Sequence, residues 1–218
     1  MGSWVRSGVL ASAVACAALA SAIASAQDAP AKGDPARGKV LSYTCLGCHG
    51  IPNYKNAFPV YSVPKLEGQH PEYLVTALQA YKSGERSHST MHLQASTLSD
   101  QDMADIAAFF AREPLQPTGN TGGGNVPEAA QTCVACHGTD GVGITPMYPT
   151  LSGQHADYLV RALLDYKRGG RKNPVMAGFA APLTDAQIRE IAEYYSRQQP
   201  GLDTLEYKEA NAFAVASR

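Results

Sequence analysis

Cysteine is scarce in this 218-residue chain, and four of its five copies fall in two short motifs, Cys45-Leu46-Gly47-Cys48-His49 and Cys133-Val134-Ala135-Cys136-His137. With the fifth, Cys16, set aside in an N-terminal leader, none is left for a structural disulfide. An excess of charge is missing too: 18 basic residues face 19 acidic ones, which excludes the electrostatic footprint of a nucleic-acid binder. Apolar runs are short. The run from Gly8 to Ile23 falls below the roughly 18 residues that a membrane span requires. Residues 27–218 carry no flavin or nicotinamide fingerprint, so chemistry of that kind would belong to a partner.

The apolar run has the anatomy of a secretory signal, with Arg6 before it and Ala24-Ser25-Ala26 after it. Cleavage is expected after Ala26, which makes residues 1–26 a discarded leader and the periplasm the expected compartment. An uncleaved anchor fits less well, because the run is short, alanine-rich and followed by a good cleavage site. Cys16 also makes a poor lipoprotein cysteine, because Ala13 stands where a large aliphatic would be expected. The mature chain then carries 17 basic and 19 acidic residues, a net charge of -2.

What the chain has is the C-x-x-C-H pattern, written twice. Two cysteines at this spacing can each add a thiol to a haem vinyl group, and the adjacent histidine presents its imidazole to the iron. Two covalently attached haem c groups are therefore predicted, at Cys45 and Cys48 and at Cys133 and Cys136. Paired zinc or redox-thiol sites are the competing reading. The adjacent histidines and the export signal favour haem.

The motifs head an internal repeat. Residues 68–86 and 153–171, at an offset of 85, are identical at 12 of 19 positions, which marks a duplication rather than shared helix propensity. The offset between the motifs themselves is 88, so the first copy has three extra residues between His49 and Gly68. Asp34 and Pro35 predict a helix start, with the helix running into Cys45. Further helices are expected from Pro71 to Lys82, closed by Gly84, and from Asp100 to Arg112, opened by Ser99 and Asp102. Thr184 and Gln187 start the last helix of the second copy. The proline- and aromatic-rich stretch Gly50–Leu66 reads as a loop, as does Glu85–Leu98. The expected organisation is a first domain over 27–115, a linker over 116–125, a second domain over 126–202 and a tail over 203–218.

The second axial position on each iron separates electron transfer from reactivity. Met91 and Met176 coincide at the offset of 85, each in a loop seven residues before an aligned leucine. A thioether suits iron that changes oxidation state, so the expected ligand pairs are His49 with Met91 and His137 with Met176. Met103 reads as core filler. Met147 aligns with Ser62, which cannot replace it as a ligand. His70 and His155 each precede a helix, where local bonding suffices, and His88 and His92 read as unpaired surface positions flanking Met91. The aligned prolines Pro64 and Pro149 have carbonyls but no amide hydrogen, and are expected to receive the N–H of His49 and His137.

A helical domain with C-x-x-C-H near its start and a late methionine resembles class I cytochrome c. Two in tandem, with Gly-Gln-His-x-x-Tyr-Leu and Tyr-Lys-x-Gly repeats over about Asp34 to Gly201, resemble the dihaem cytochrome c4 family. The resemblance implies an all-α fold of two tandem class I cytochrome c domains about a pseudo-twofold axis. It further implies haems close enough to exchange electrons, and a non-enzymatic periplasmic carrier between a quinol-oxidising complex and a terminal oxidase, with peripheral membrane association. The rival function is the dihaem electron-accepting subunit of a dehydrogenase such as a sulfide-oxidising flavocytochrome. The longer first loop and the unpaired tail depart from the repeat.

Overall fold

The structure is a computed structural model that describes residues 32–122 and 124–208. The expected leader and the last part of the tail lie outside the described residues. Within them the chain forms nine α-helices, a 3₁₀ turn over Glu128–Ala130 and isolated β-bridges, with no β-strand.

Helix α1, Pro35–Leu41, starts where a carboxylate and a proline dictate: the Asp34 side chain accepts the Ala36 N–H at 2.8 Å, and Pro35 opens the helix. It crosses α5, Asp100–Ala111, in direct contact. Gly38 permits this, because a Cβ there would lie 1.9 Å from the Asp105 carbonyl oxygen. Asp105, buried in α5, accepts the Asp34 N–H at 2.7 Å and pairs with Arg37. Instead of running on into Cys45, α1 ends at Ser42, which also begins α2, Tyr43–His49.

Helix α3, Pro71–Ser83, ends on Gly84 at φ +78°, and its counterpart α7, Ala156–Arg168, ends on Gly169 at the same φ. A side chain is disfavoured in that left-handed conformation, which is why both copies close with glycine. The stretches read as loops around the methionines are corrected by the structure: α4 is Ser89–Ser96 and α8 is Pro174–Ala180. Their starts were hidden because the caps are unlike in sequence. His88 Nδ1 accepts the Met91 N–H at 3.3 Å, and Asn173 Oδ1 accepts the Met176 N–H at 3.0 Å. His88 therefore does have a counterpart, Asn173, and is half-buried instead of lying at the surface. His92 is exposed, with its Nδ1 2.8 Å from the Tyr81 carbonyl.

The remaining helices are α6, Val134–His137, and α9, Asp185–Ser196. Helices α5 and α9 both open with reciprocal capping boxes, Ser99 with Asp102 and Thr184 with Gln187. Their apolar stripes make two cores. The first gathers Leu46, Leu74, Ile106, Phe109 and Phe110, and the second gathers Tyr158, Leu159, Ile191, Tyr194 and Tyr195. Met103 is fully buried, as core filler should be. Each core also takes one side chain from outside its own unit: Leu205 of the tail enters the first, and Tyr61 of the first long loop enters the second.

The two halves meet with the symmetry of the repeat. Gln69 donates to the Thr150 carbonyl at 2.9 Å and accepts the Thr150 N–H at 2.8 Å. Gln154 does the same to Lys65, with both bonds at 3.0 Å. Gln69 and Gln154 are partners at the offset of 85, and so are Lys65 and Thr150. Arg86 and Arg171 form a β-bridge across the same axis, flanked by Ser87 N–H to Gly170 O and Lys172 N–H to Glu85 O, both at 2.7 Å.

Candidate functional site

The cysteines and histidine of the first motif ride on α2, whose Leu46 is buried against α3 and α5. Met91 arrives from α4, which packs on α3. In the second half α6 carries Cys136 and His137, Cys133 caps it, and α8, holding Met176, packs on α7. Each methionine occupies the third position of its helix, where its own N–H is held by the cap. Met147 is exposed in the loop after α6.

His49 Nδ1 lies 2.9 Å from the Pro64 carbonyl oxygen, and His137 Nδ1 lies 2.9 Å from that of Pro149. A carbonyl can only accept, so Nδ1 carries the proton and Nε2 keeps its lone pair. Burial lowers the pKa of both imidazoles, which keeps them neutral. Two neutral imidazoles with oriented Nε2 lone pairs are what an iron requires. None of the four motif cysteines is taken up in a disulfide, which leaves each sulfur for a thioether bond. Among the described residues no cluster of three or more His, Cys, Asp or Glu side chains could hold a metal ion directly.

Between the halves lies a feature that the sequence reading did not single out. Arg86 and Arg171 are 8% and 7% exposed, and both guanidiniums donate to the one Tyr158 hydroxyl, at 2.6 Å and 3.3 Å. Arg86 also sits 4.5 Å from the Tyr81 ring centre, and Arg171 sits 5.4 Å from that of Tyr166. Burial opposes ionisation of the Tyr158 phenol, yet the two cations outweigh it and bring its pKa down to about 8. Asp165 approaches Arg171 at 3.9 Å and holds Arg161 at 2.9 Å. Arg86 pairs with no carboxylate among the described residues, and its Nε has no hydrogen-bond partner. Two buried guanidiniums so poorly matched by carboxylates leave room for anions from elsewhere, and the carboxylates of haem fit that need. A signal was available in the sequence, since Tyr73 with Tyr158 and Arg86 with Arg171 are among the identical repeat positions.

Residues 35–112 match the family model described as cytochrome c, and residues 127–194 match the one described as cytochrome C oxidase, cbb3-type, subunit III. The chain is 36% identical over 182 residues to cytochrome c4 of Pseudomonas aeruginosa, covering 76% of this chain and 89% of that one. It is 31% identical over 173 residues to a thiosulfate dehydrogenase electron acceptor of Stutzerimonas stutzeri, covering 70% and 77%. The crystal structure of reduced recombinant cytochrome c4 from Pseudomonas stutzeri aligns with a TM-score of 0.61 at 30% identity, covering 78% of this chain and 100% of that one.

Two helical cytochrome c domains, each with its own C-x-x-C-H motif, define a dihaem c-type cytochrome, an electron-transfer protein and not an enzyme. Within that class, the chain belongs to the cytochrome c4 family. It carries two covalent haem c groups, attached through Cys45 and Cys48 and through Cys133 and Cys136. Haem supplies the one-electron chemistry. The chain supplies the cysteine sulfurs that attach it, and the oriented imidazoles and buried guanidiniums have the chemistry to hold it.

Proposed function

We propose that this cytochrome is a periplasmic carrier that takes electrons from a quinol-oxidising complex and delivers them to a terminal oxidase. In this reading His49 and Met91 are the axial ligands of the first haem, and His137 and Met176 those of the second. The observation that supports it most is the equivalence of the two sites: the same imidazole-to-proline bond at 2.9 Å in both copies, and in both a methionine amide held by the side chain that caps its helix, His88 in one and Asn173 in the other. An iron held from both sides has no open position for a substrate, as a carrier requires. The leader over residues 1–26 supports export and cleavage after Ala26. The haem domains are taken as 27–115 and 126–202, joined by 116–125. No helix of the described residues is long and apolar enough to cross a membrane, and membrane association in this reading is peripheral.

The oxidised protein should show the methionine-to-iron charge-transfer absorption for both haems, and the reduced protein should not bind carbon monoxide. Carbon monoxide binding to the native protein would overturn the closed coordination. Membranes containing a terminal oxidase should oxidise the reduced protein rapidly. A second reading, an electron acceptor for a dehydrogenase, is favoured by the 31% identity to the thiosulfate dehydrogenase electron acceptor. Stable copurification with such a dehydrogenase, together with slow oxidation by the membranes, would select it.

A further inference from the structure

The segment after α9 leaves the second domain and finishes on the first. Leu202 N–H donates to the Ser152 carbonyl at 2.8 Å, still within the second half. One residue later, Asp203 exchanges two backbone bonds with Glu67, each at 3.1 Å. Leu205 is then 1% exposed in the first core with Leu46 and Phe110, and Tyr207 N–H reaches the Gly50 carbonyl at 3.4 Å. Gly50 directly follows His49, and Glu67 lies three residues beyond Pro64. One short segment therefore grips the chain on both sides of the His49–Pro64 hydrogen bond. Phe110, a neighbour of Leu205 in this core, also stands edge-on to the His49 ring, with centres 6.3 Å apart.

At the second site Thr118 and Gly119 of the connecting segment reach Asp140 and Gln69 reaches Thr150, but among the described residues no one segment pairs with both flanks of the His137–Pro149 bond. There the positions equivalent to Gly50 and Glu67 are Gly138 and Ser152, and they are held from within the same half. Gly138 O accepts the Tyr195 hydroxyl at 3.4 Å, and Ser152 Oγ donates to the Pro200 carbonyl at 2.6 Å. Gly50 also has little freedom of its own: a Cβ there would lie 2.7 Å from the Leu46 carbonyl oxygen and 3.3 Å from that of Leu205.

We infer that the tail segment Asp203–Tyr207, with Leu205 at its centre, is a positioning element for the first haem: it fixes the His49–Pro64 pair and keeps water from the imidazole side of that haem alone. The inference rests on His49 being an axial ligand, and it makes the tail a source of inequality between two otherwise repeated sites. Solvent access and the hydrogen bond to a ligating imidazole both govern reduction potential. Water admitted beside His49 favours the more highly charged oxidised iron.

The test uses the full-length dihaem protein. Leu205→Ala, Leu205→Val and Leu205→Met are titrated by spectroelectrochemistry, with Met91→His and Met176→His run alongside to assign each wave to its haem. Leu205→Ala should move the first haem's wave to lower potential, Leu205→Val should move it less, and Leu205→Met should restore it, while the second haem's wave stays in place. A first-haem wave unmoved in folded Leu205→Ala, or both waves moving together, overturns the inference. Folding is judged on the Val variant if Ala fails to accumulate. If the His variants leave both waves unmoved, the ligand assignment has failed instead, which is a separate outcome.

Discussion

At the scale of single residues, buried polar groups here serve to tie segments together. Asp140 is 1% exposed and accepts the N–H groups of Thr118 at 2.6 Å, Gly119 at 2.8 Å and Val142 at 3.1 Å, so it lashes the connecting segment to the second domain. Burial pushes its pKa up, and these backbone donors outweigh that and hold it below the ordinary carboxylate range. A carboxylate whose folded pKa is depressed stabilises the fold above its unfolded value of about 3.9, and that contribution is lost as pH falls through the folded pKa. Asp140→Asn places an amide NH₂ against donors, and should cost about 1–3 kcal/mol at neutral pH in denaturant unfolding. The variant should also lose less stability than the parent between about pH 4 and pH 2. Equal acid sensitivity of the two proteins would show that another carboxylate dominates.

At the scale of elements, the two short helices that carry Met91 and Met176 matter most. A helix of seven or eight residues is marginal by propensity, so its cap and its packing decide whether it forms. Asn173 is among the best N-caps, and its side chain holds the N–H of Met176 itself. Asn173→Ala should lower stability by about 1 kcal/mol, with Asn173→Asp close to the parent, both measured by denaturant unfolding. An unchanged midpoint in the Ala variant would show that packing on α7 alone holds α8. These helices were not legible in the sequence. Pro174 reads equally as a loop breaker or a first helical residue, and a histidine cap at position 88 carries no standard signature. The capping boxes of α5 and α9, by contrast, follow a local rule and stand where the residues predict.

At the scale of the whole molecule, the halves are joined by a symmetric contact and an unsymmetric exchange. Gln69 and Gln154 each pair with a backbone amide of the other half. Gln69→Ala strands the N–H and C=O of Thr150, which is buried, at about 1–3 kcal/mol for each group. The double variant Gln69→Ala, Gln154→Ala should convert a single calorimetric transition into two. One surviving transition would assign the coupling to the exchanged side chains, Tyr61 and Leu205. The residues by themselves determined the covalent haem sites, the duplication, the register that brings Met91 and Met176 into correspondence, and the helices with standard caps. All of these rest on spacing along the chain. Tertiary structure decided what spacing cannot encode: that Arg86 and Arg171 face each other across the axis, and that Tyr61 and Leu205 are buried in cores not their own. A side chain's burial depends on where its backbone is led, and the path of the tail over His49 and Pro64 is set by its backbone bonds to Glu67 and Gly50, 136 and 157 residues away in sequence.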